Sequence, residues 1–396
     1  VRRFTHEEDT GGLRAGGHEI LAKELERSWG EYRWAAERFA ERGSDLLGAL
    51  AGHAQWTSSA THAVLPLLAS DAGIRAQVKV GIQAHRARVP SQWRGGFWLP
   101  ECAHTPRLEW LLADAGVRSV CVELTNQLGL GAPEHLRPIV GEGGVVRVPI
   151  DRQSMSLVWS EGGYPASGAY RDYHRHTVHH HNPWANDGGA YDHARALALA
   201  DTHAEDFVAR VLERLRRDGG GLPGGGLVVC ALDTELLGHW WYEGVAWLQA
   251  VLAQCQRQGL ELVRLDDAVD ELEPLFLSDE RQQGSQPSSW GMGGDLSTWS
   301  APPVAELAFT TRRCELQLLR AGADVSSAAL RELLALQASD WPFMVSRELA
   351  VPYAIERFEG HHQRFERALS AGQDAAAEEL RNLAIHAEQP ALRLVL

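Results

Sequence analysis

Two carboxylates sit where chemistry is usually done. Glu101 follows a short apolar run in GFWLPECAH, and Asp233 ends the apolar run of VVCALDTELLGHWWYEG. Both runs read as buried strands, and in barrel folds the C-terminal ends of strands carry the reacting groups. A carboxylate at such a place, among Trp and His, is costly unless it has partners or a task. Cleavage of a glycosidic bond with retention needs such a pair. One carboxylate attacks the anomeric carbon, while the other protonates the leaving oxygen and later deprotonates the acceptor. Each acid alone reads equally as a helix cap or a surface ion pair; the two contexts together favour the pair.

The aromatic content points the same way. There are 14 Trp against 9 Phe and 7 Tyr, and Trp98, Trp240, Trp241, Trp290, Trp299 and Trp341 sit beside Gly, Pro, His or acids. Indole faces stack on the apolar faces of sugar rings, although many Trp in any chain are core. The net charge of −14 argues against a nucleic-acid surface and favours a neutral or cationic ligand. The five cysteines form no CxxC pair, so neither a zinc site nor a disulfide framework is expected, and a reducing cytoplasm fits. No run of about 18 apolar residues suggests a membrane span. The chain opens on VRRFTHEEDT, without an initiator Met or a signal segment, as if it began partway through a longer product.

The elements that must position these groups are legible in outline. Apolar residues recur at helical steps over 18–41, and helices are expected at 70–87, 106–115, 203–217 and 245–258. Strands are expected at FWLPE, 118–122, 145–150, 227–233 and 260–265. Alternating helices and short buried strands predict an α/β class with a parallel sheet. Past about 302 the pattern turns helical, in segments 303–320, 326–338, 346–372 and 374–387. The boundaries read from this are a helical segment at 1–45, a catalytic α/β portion at 46–280 and a helical domain at 281–396. The polar, aromatic stretch 160–192 reads as a lid loop. It is rich in His, but HHH at 179–181 lacks the spacing that puts two rings on one helix face, so no metal is expected.

At this level of detail the chain resembles glycoside hydrolase family 57, and within it the 1,4-α-glucan branching enzymes. SATHAVLPLL at 59–68, WLPECA at 98–103, LDTELLGHWWYEG at 232–244 and SSWGMGGDLSTW at 288–299 resemble the second to fifth motifs of that family. ASDWPF at 338–343 and YAIER at 353–357 resemble the branching-enzyme helical domain. The resemblance implies an incomplete (β/α)7-type barrel followed by an all-helical C-terminal domain. It implies Glu101 as nucleophile and Asp233 as general acid/base. It implies that His62, Trp98, His239, Trp240, Trp241 and Trp290 line subsites, and that an aromatic lid residue falls at Tyr164 in GGYPASGAYRDY. The substrate implied is an α-1,4-glucan such as glycogen or amylose, with no cofactor and no metal. Alternatives of the same chemistry are an amylase and a 4-α-glucanotransferase; a glucan-binding protein with weak catalysis is another. The family's His-rich first motif has no counterpart, which implies an incomplete donor pocket. His104 and Met292 replace the usual aromatic and Glu of the third and fifth motifs.

Overall fold

The computed structural model describes residues 2–89, 92–222, 224–277, 286–322 and 325–372. The chain folds into two compact units. One contains the described residues up to Ala49 together with Asp151–Arg264; the other contains Leu50–Ile150 and the described residues from Leu265 onward. This division differs from boundaries near 45 and 280. The 160–192 stretch shares a unit with the N-terminal helices, and the C-terminal helices share one with the sheet. Packing across the sequence is the reason. Val80, from the helix Asp71–Arg88, is buried in the same apolar cluster as Leu318, Leu333, Phe358 and Phe365.

In the second unit a four-stranded sheet has the order β1 (Gly96–Phe97), β2 (Ser119–Val122), β4 (Val146–Pro149), β3 (Ile139–Val140). The β1–β2 and β2–β4 pairs are parallel, and β3 runs antiparallel to β4. Thr57 extends the sheet beyond β1 and Leu275 beyond β3 through isolated bridges. The helix Asp71–Arg88 packs beside it for local reasons. Ser70 caps its start, with Oγ accepting from Gly73 N, and three basic residues close its last turn. Ile74, Val78 and Ile82 recur every fourth residue and are buried with Phe97, Leu112 and Val120. Burying each contributes about 1.5–3 kcal/mol. The C-terminal helices Ala305–Ala321, Ser327–Leu336, Asp340–Ser346 and Val351–Ala371 fall close to expectation. The segment expected at 374–387 lies outside the described residues.

In the first unit the helix His193–Arg214 starts ten residues before the expected 203. Asp192 sets its start by accepting from Arg195 N. Its buried Ala196, Ala200 and Ala204 let the helix Gly244–Gln258 approach closely. Two expected strands are absent among the described residues. The run 227–233 is half-buried and joins Asp151 N through the Val229 carbonyl, but forms no assigned strand. The run 260–265 exposes Leu262 and Val263 and leads into the helix Leu265–Glu271. In the helix Glu19–Glu41, Leu21 and Leu25 are buried, whereas Tyr32, Trp34 and Phe39 are exposed. Among the described residues no helix is long and apolar enough to cross a membrane.

Candidate active site

The backbone after β1 turns sharply to present Glu101. Pro100 opens a single 3-10 turn, and Glu101 and Cys102 then both take left-handed conformations, with φ of 60° and 51°. Neither is glycine, so the turn holds strain of the kind that collects at functional sites. It is over-determined by its surroundings. Trp290 N donates to the Glu101 carbonyl at 3.1 Å, and His104 and Ser288 exchange backbone bonds of 2.8 and 3.0 Å. The SSWGMGG segment thereby anchors the loop that carries the carboxylate.

The Glu101 side chain is 15% exposed. Trp290 Nε1 donates to its Oε2 at 2.9 Å, and Ser339 Oγ donates to its Oε1 at 2.8 Å. His62 Nε2 stands 3.7 Å from Oε1 and carries its own strained φ of 56°. Trp98 and Trp290 have ring centroids 5.0 Å apart. Four residues expected from sequence, His62, Trp98, Glu101 and Trp290, thus meet in one place. Ser339 was not among the expected residues, although the ASDWPF segment containing it was singled out. A Ser two residues before Trp-Pro reads as a helix cap, and no local signal points its hydroxyl elsewhere. His104 forms a structural pair instead, its Nε2 2.7 Å from Glu109 Oε1 with both side chains 1% exposed. Met292 is exposed, and its sulfur accepts from Arg347 Nη1 at 3.4 Å.

Asp233 precedes the single 3-10 turn Thr234–Leu236. Its carbonyl accepts from Leu236 N at 3.1 Å, and its side chain makes no capping bond. The helix-cap explanation for this acid therefore does not hold. Gly238, at φ 96°, lets the chain fold back so that its N–H meets the Trp241 carbonyl at 2.8 Å. That reversal separates the two adjacent indoles. Trp240 is 46% exposed, whereas Trp241 is 2% exposed and packs against Tyr170 and Trp247. The structure therefore corrects the placement of Trp241, which is core in this conformation.

Within the first unit a cleft of about 710 Å³ is lined by Arg171, Tyr173, His174, His239, Trp240 and Tyr242, among others. The Tyr173 hydroxyl lies 3.3 Å from His239 Nε2, and its ring is 4.5 Å from that of Trp240. Arg171 places its guanidinium 3.8 Å from the Tyr242 ring centroid. Polar groups interleaved with aromatic faces suit a saccharide better than an apolar ligand. Tyr173 belongs to the 160–192 stretch that reads as a lid loop from sequence. The histidines of 174–181 bring no three donor atoms together among the described residues. Cys314, His362 and Glu366 do, within 4.8 Å, but Arg313 Nη2 sits 3.2 Å from His362 Nε2 and occupies that acceptor.

Tyr164 is not at the tip of a flap. Its hydroxyl donates to Asp206 at 2.7 Å and its ring stacks on His203 at 4.5 Å. Burial, reinforced by Asp206, pushes its hydroxyl well above the usual phenol range, and burial lowers the His203 imidazole. The stretch around it is folded: Asp172 N meets the Trp184 carbonyl at 2.9 Å, and Tyr191 N meets that of Pro183 at 3.0 Å. This geometry predicts a packing role. Tyr164→Ala is expected to cost about 2 kcal/mol in urea unfolding, less than a fully buried aromatic. A loss under about 0.5 kcal/mol with a changed ratio of transfer to hydrolysis would return Tyr164 to a lid role.

Known proteins resemble this chain over most of its length. Residues 56–277 match the model for glycosyl hydrolase family 57, and residues 310–389 match that for the C-terminal region of 1,4-alpha-glucan branching enzymes. A probable 1,4-alpha-glucan branching enzyme of Mycobacterium tuberculosis is 36% identical over 319 residues, covering 72% of this chain and 58% of that protein. A 1,4-alpha-glucan branching enzyme of Thermococcus kodakarensis is 31% identical over 361 residues, covering 78% of this chain and 53% of that protein. The chain thus spans a little over half the length of these curated relatives. Among solved structures, the family 57-type branching enzyme of Pyrococcus horikoshii superposes with a TM-score of 0.82 at 26% identity, covering 99% of this chain and 80% of that one. That agreement bears out the α/β class with a helical C-terminal region. Matched over more than half its length by the family model, and sharing a fold with a member of it, this chain belongs to glycosyl hydrolase family 57.

Proposed function

We propose that this chain is a retaining transglycosylase of α-1,4-glucans that forms α-1,6 branches, a 1,4-α-glucan branching enzyme acting in glycogen biosynthesis. The observation that supports this most is the Glu101 carboxylate, fixed by Trp290 and Ser339 on a strained turn. Glu101 attacks the anomeric carbon of an internal α-1,4 linkage. The C1–O4 bond breaks, and Asp233 delivers its proton to the leaving O4. The glycosyl ester on Glu101 is then attacked by the 6-hydroxyl of an acceptor chain, whose proton passes to Asp233. The steps balance without a cofactor. Transfer outruns hydrolysis only where an acceptor is seated and water is held off. The cleft bearing Tyr173, His239 and Trp240 offers stacking and hydrogen bonding for a glucan chain. A cytoplasmic setting is consistent with five cysteines in no disulfide, four of them buried.

The test is the product. Amylose incubated with the protein should gain α-1,6 anomeric proton signals, and debranching should release short chains while reducing ends stay nearly constant. Reducing ends that rise in step with cleavage would make it an amylase. Redistributed linear chains without branches would make it a 4-α-glucanotransferase. Retardation on a glycogen-containing gel without turnover would leave a glucan-binding protein.

A further inference from the structure

The hydroxyl of Ser339 is directed at the Glu101 carboxylate and not at its own helix. Ser339 stands just before the helix Asp340–Ser346, but its backbone is already helical, with φ −64° and ψ −23°, so it is not in the extended conformation from which a Ser caps the first turn. It makes no capping bond. Its Oγ donates to Glu101 Oε1 at 2.8 Å, and the side chain is buried, with the residue 2% exposed.

Ser339 is also held from behind. Its own N–H donates to the His62 carbonyl at 3.1 Å, and Ala338 bridges Ala63 in antiparallel fashion. The two loops that bring His62 and Ser339 to the carboxylate are therefore one clamp. Beneath them lies a buried amide network. Gln77, 0% exposed, donates from Nε2 to Gln337 Oε1 at 2.8 Å and to Thr61 Oγ1 at 2.9 Å, and accepts at Oε1 from Thr61 N at 3.2 Å. Gln337 Nε2 donates to Glu315 Oε2 at 3.2 Å. Glu315, also 0% exposed, accepts from Ala69 N at 3.1 Å and from Ser70 Oγ at 2.5 Å. A Cβ at position 73 would lie 2.2 Å from Glu315 Oε1, so Gly73 is what admits this carboxylate. Buried polar groups this fully satisfied fix one arrangement of the segments they join.

We propose that Ser339 is a further positioning residue for the nucleophile, and that the Gln77–Gln337–Glu315 network holds it there. The C-terminal helices, through Glu315, Gln337 and Ser339, are then part of the machinery that aims Glu101. Trp290 and Ser339 grip different oxygens of the carboxylate, so loss of the serine leaves the group free to rotate about its last bond. Misplacement on this scale costs up to about 100-fold in rate. The inference rests on Glu101 being the nucleophile.

A 5-fluoro glycosyl fluoride of the α-glucosyl series tests both on the whole protein, with peptide mapping of the labelled residue. Ser339→Ala is expected to slow labelling of Glu101 by about 10- to 100-fold, with the donor concentration for half-maximal rate little changed. Ser339→Thr, which keeps the hydroxyl, is expected to recover to within about 5-fold of the parent. Gln337→Met keeps the serine but removes the amide, and should slow labelling by about 10-fold. Parental labelling of Glu101 in Ser339→Ala overturns the positioning role and leaves the nucleophile assignment standing. So does a slow Ser339→Thr with a melting point lowered as far as that of Ser339→Ala. Label on a residue other than Glu101 overturns the nucleophile assignment, and the inference with it.

Discussion

Glu101→Gln is expected to abolish the covalent glycosyl-enzyme, with glucan turnover falling by at least about 10⁴-fold. An amide has nearly the shape of the carboxylate but no lone pair basic enough to attack an anomeric carbon. A factor of 10⁴ corresponds to about 5.5 kcal/mol of lost transition-state stabilisation. The fold should survive. The amide oxygen can still accept from Trp290 Nε1 or from Ser339 Oγ, the present donors to Oε2 and Oε1. Its NH2 must then face the other donor, a conflict worth about 1–2 kcal/mol unless the serine hydroxyl rotates to accept. The melting curve should therefore stay cooperative and move little, while trapping with a fluorinated glucosyl donor labels the parent and not the variant. A variant that still accumulates the covalent species would move the nucleophile elsewhere.

Asp233→Asn should separate substrates by their leaving groups. A glucan chain leaves as an alkoxide unless it is protonated, so loss of the acid should slow its cleavage by about 10²–10⁴-fold. A donor with a good aryl or fluoride leaving group needs no such help, and its first step should fall less than about 10-fold. The second step would then be slow, because the acceptor hydroxyl loses its base, and the covalent intermediate should accumulate. Azide, which needs no deprotonation, should restore turnover and give a glycosyl azide. The 3-10 turn that Asp233 starts is held by its carbonyl, so Asp233→Asn should leave that turn in place. Equal losses on activated and natural donors would remove Asp233 from the acid role.

Much of the local structure was legible because its causes are local. The helices Glu19–Glu41, Asp71–Arg88, Gly244–Gln258 and Ala305–Ala321 follow apolar residues at three- and four-residue steps. Where the cause is not local, sequence reading failed in understandable ways. The run 227–233 has strand composition, but a strand exists only through a partner, and Val229 makes a single ladder-like bond to Asp151. The 160–192 stretch lacks periodicity and so reads as a mobile lid. It is pinned by turns and side chains such as Tyr164 to Asp206, contacts that no period reveals. Trp240 and Trp241 are neighbours in one motif, yet the fold-back at Gly238 exposes one and buries the other.

What could be read without the fold is local: which residue types stand together in a short segment. An acid after a short apolar run, with Pro before it and Trp nearby, singles out Glu101 and Trp98; the resemblance to family motifs adds His62 and Trp290, and the fold brings the four side by side. Tertiary structure alone decided how the carboxylate is held. Trp290 and Ser339 reach Glu101 from 189 and 238 residues away, and the glutamines beneath it meet across 260. Hydrogen bonds at such separations have no period and no fixed spacing. They form because burying Gln77, Gln337 and Glu315 together costs less than leaving any one of them without a partner.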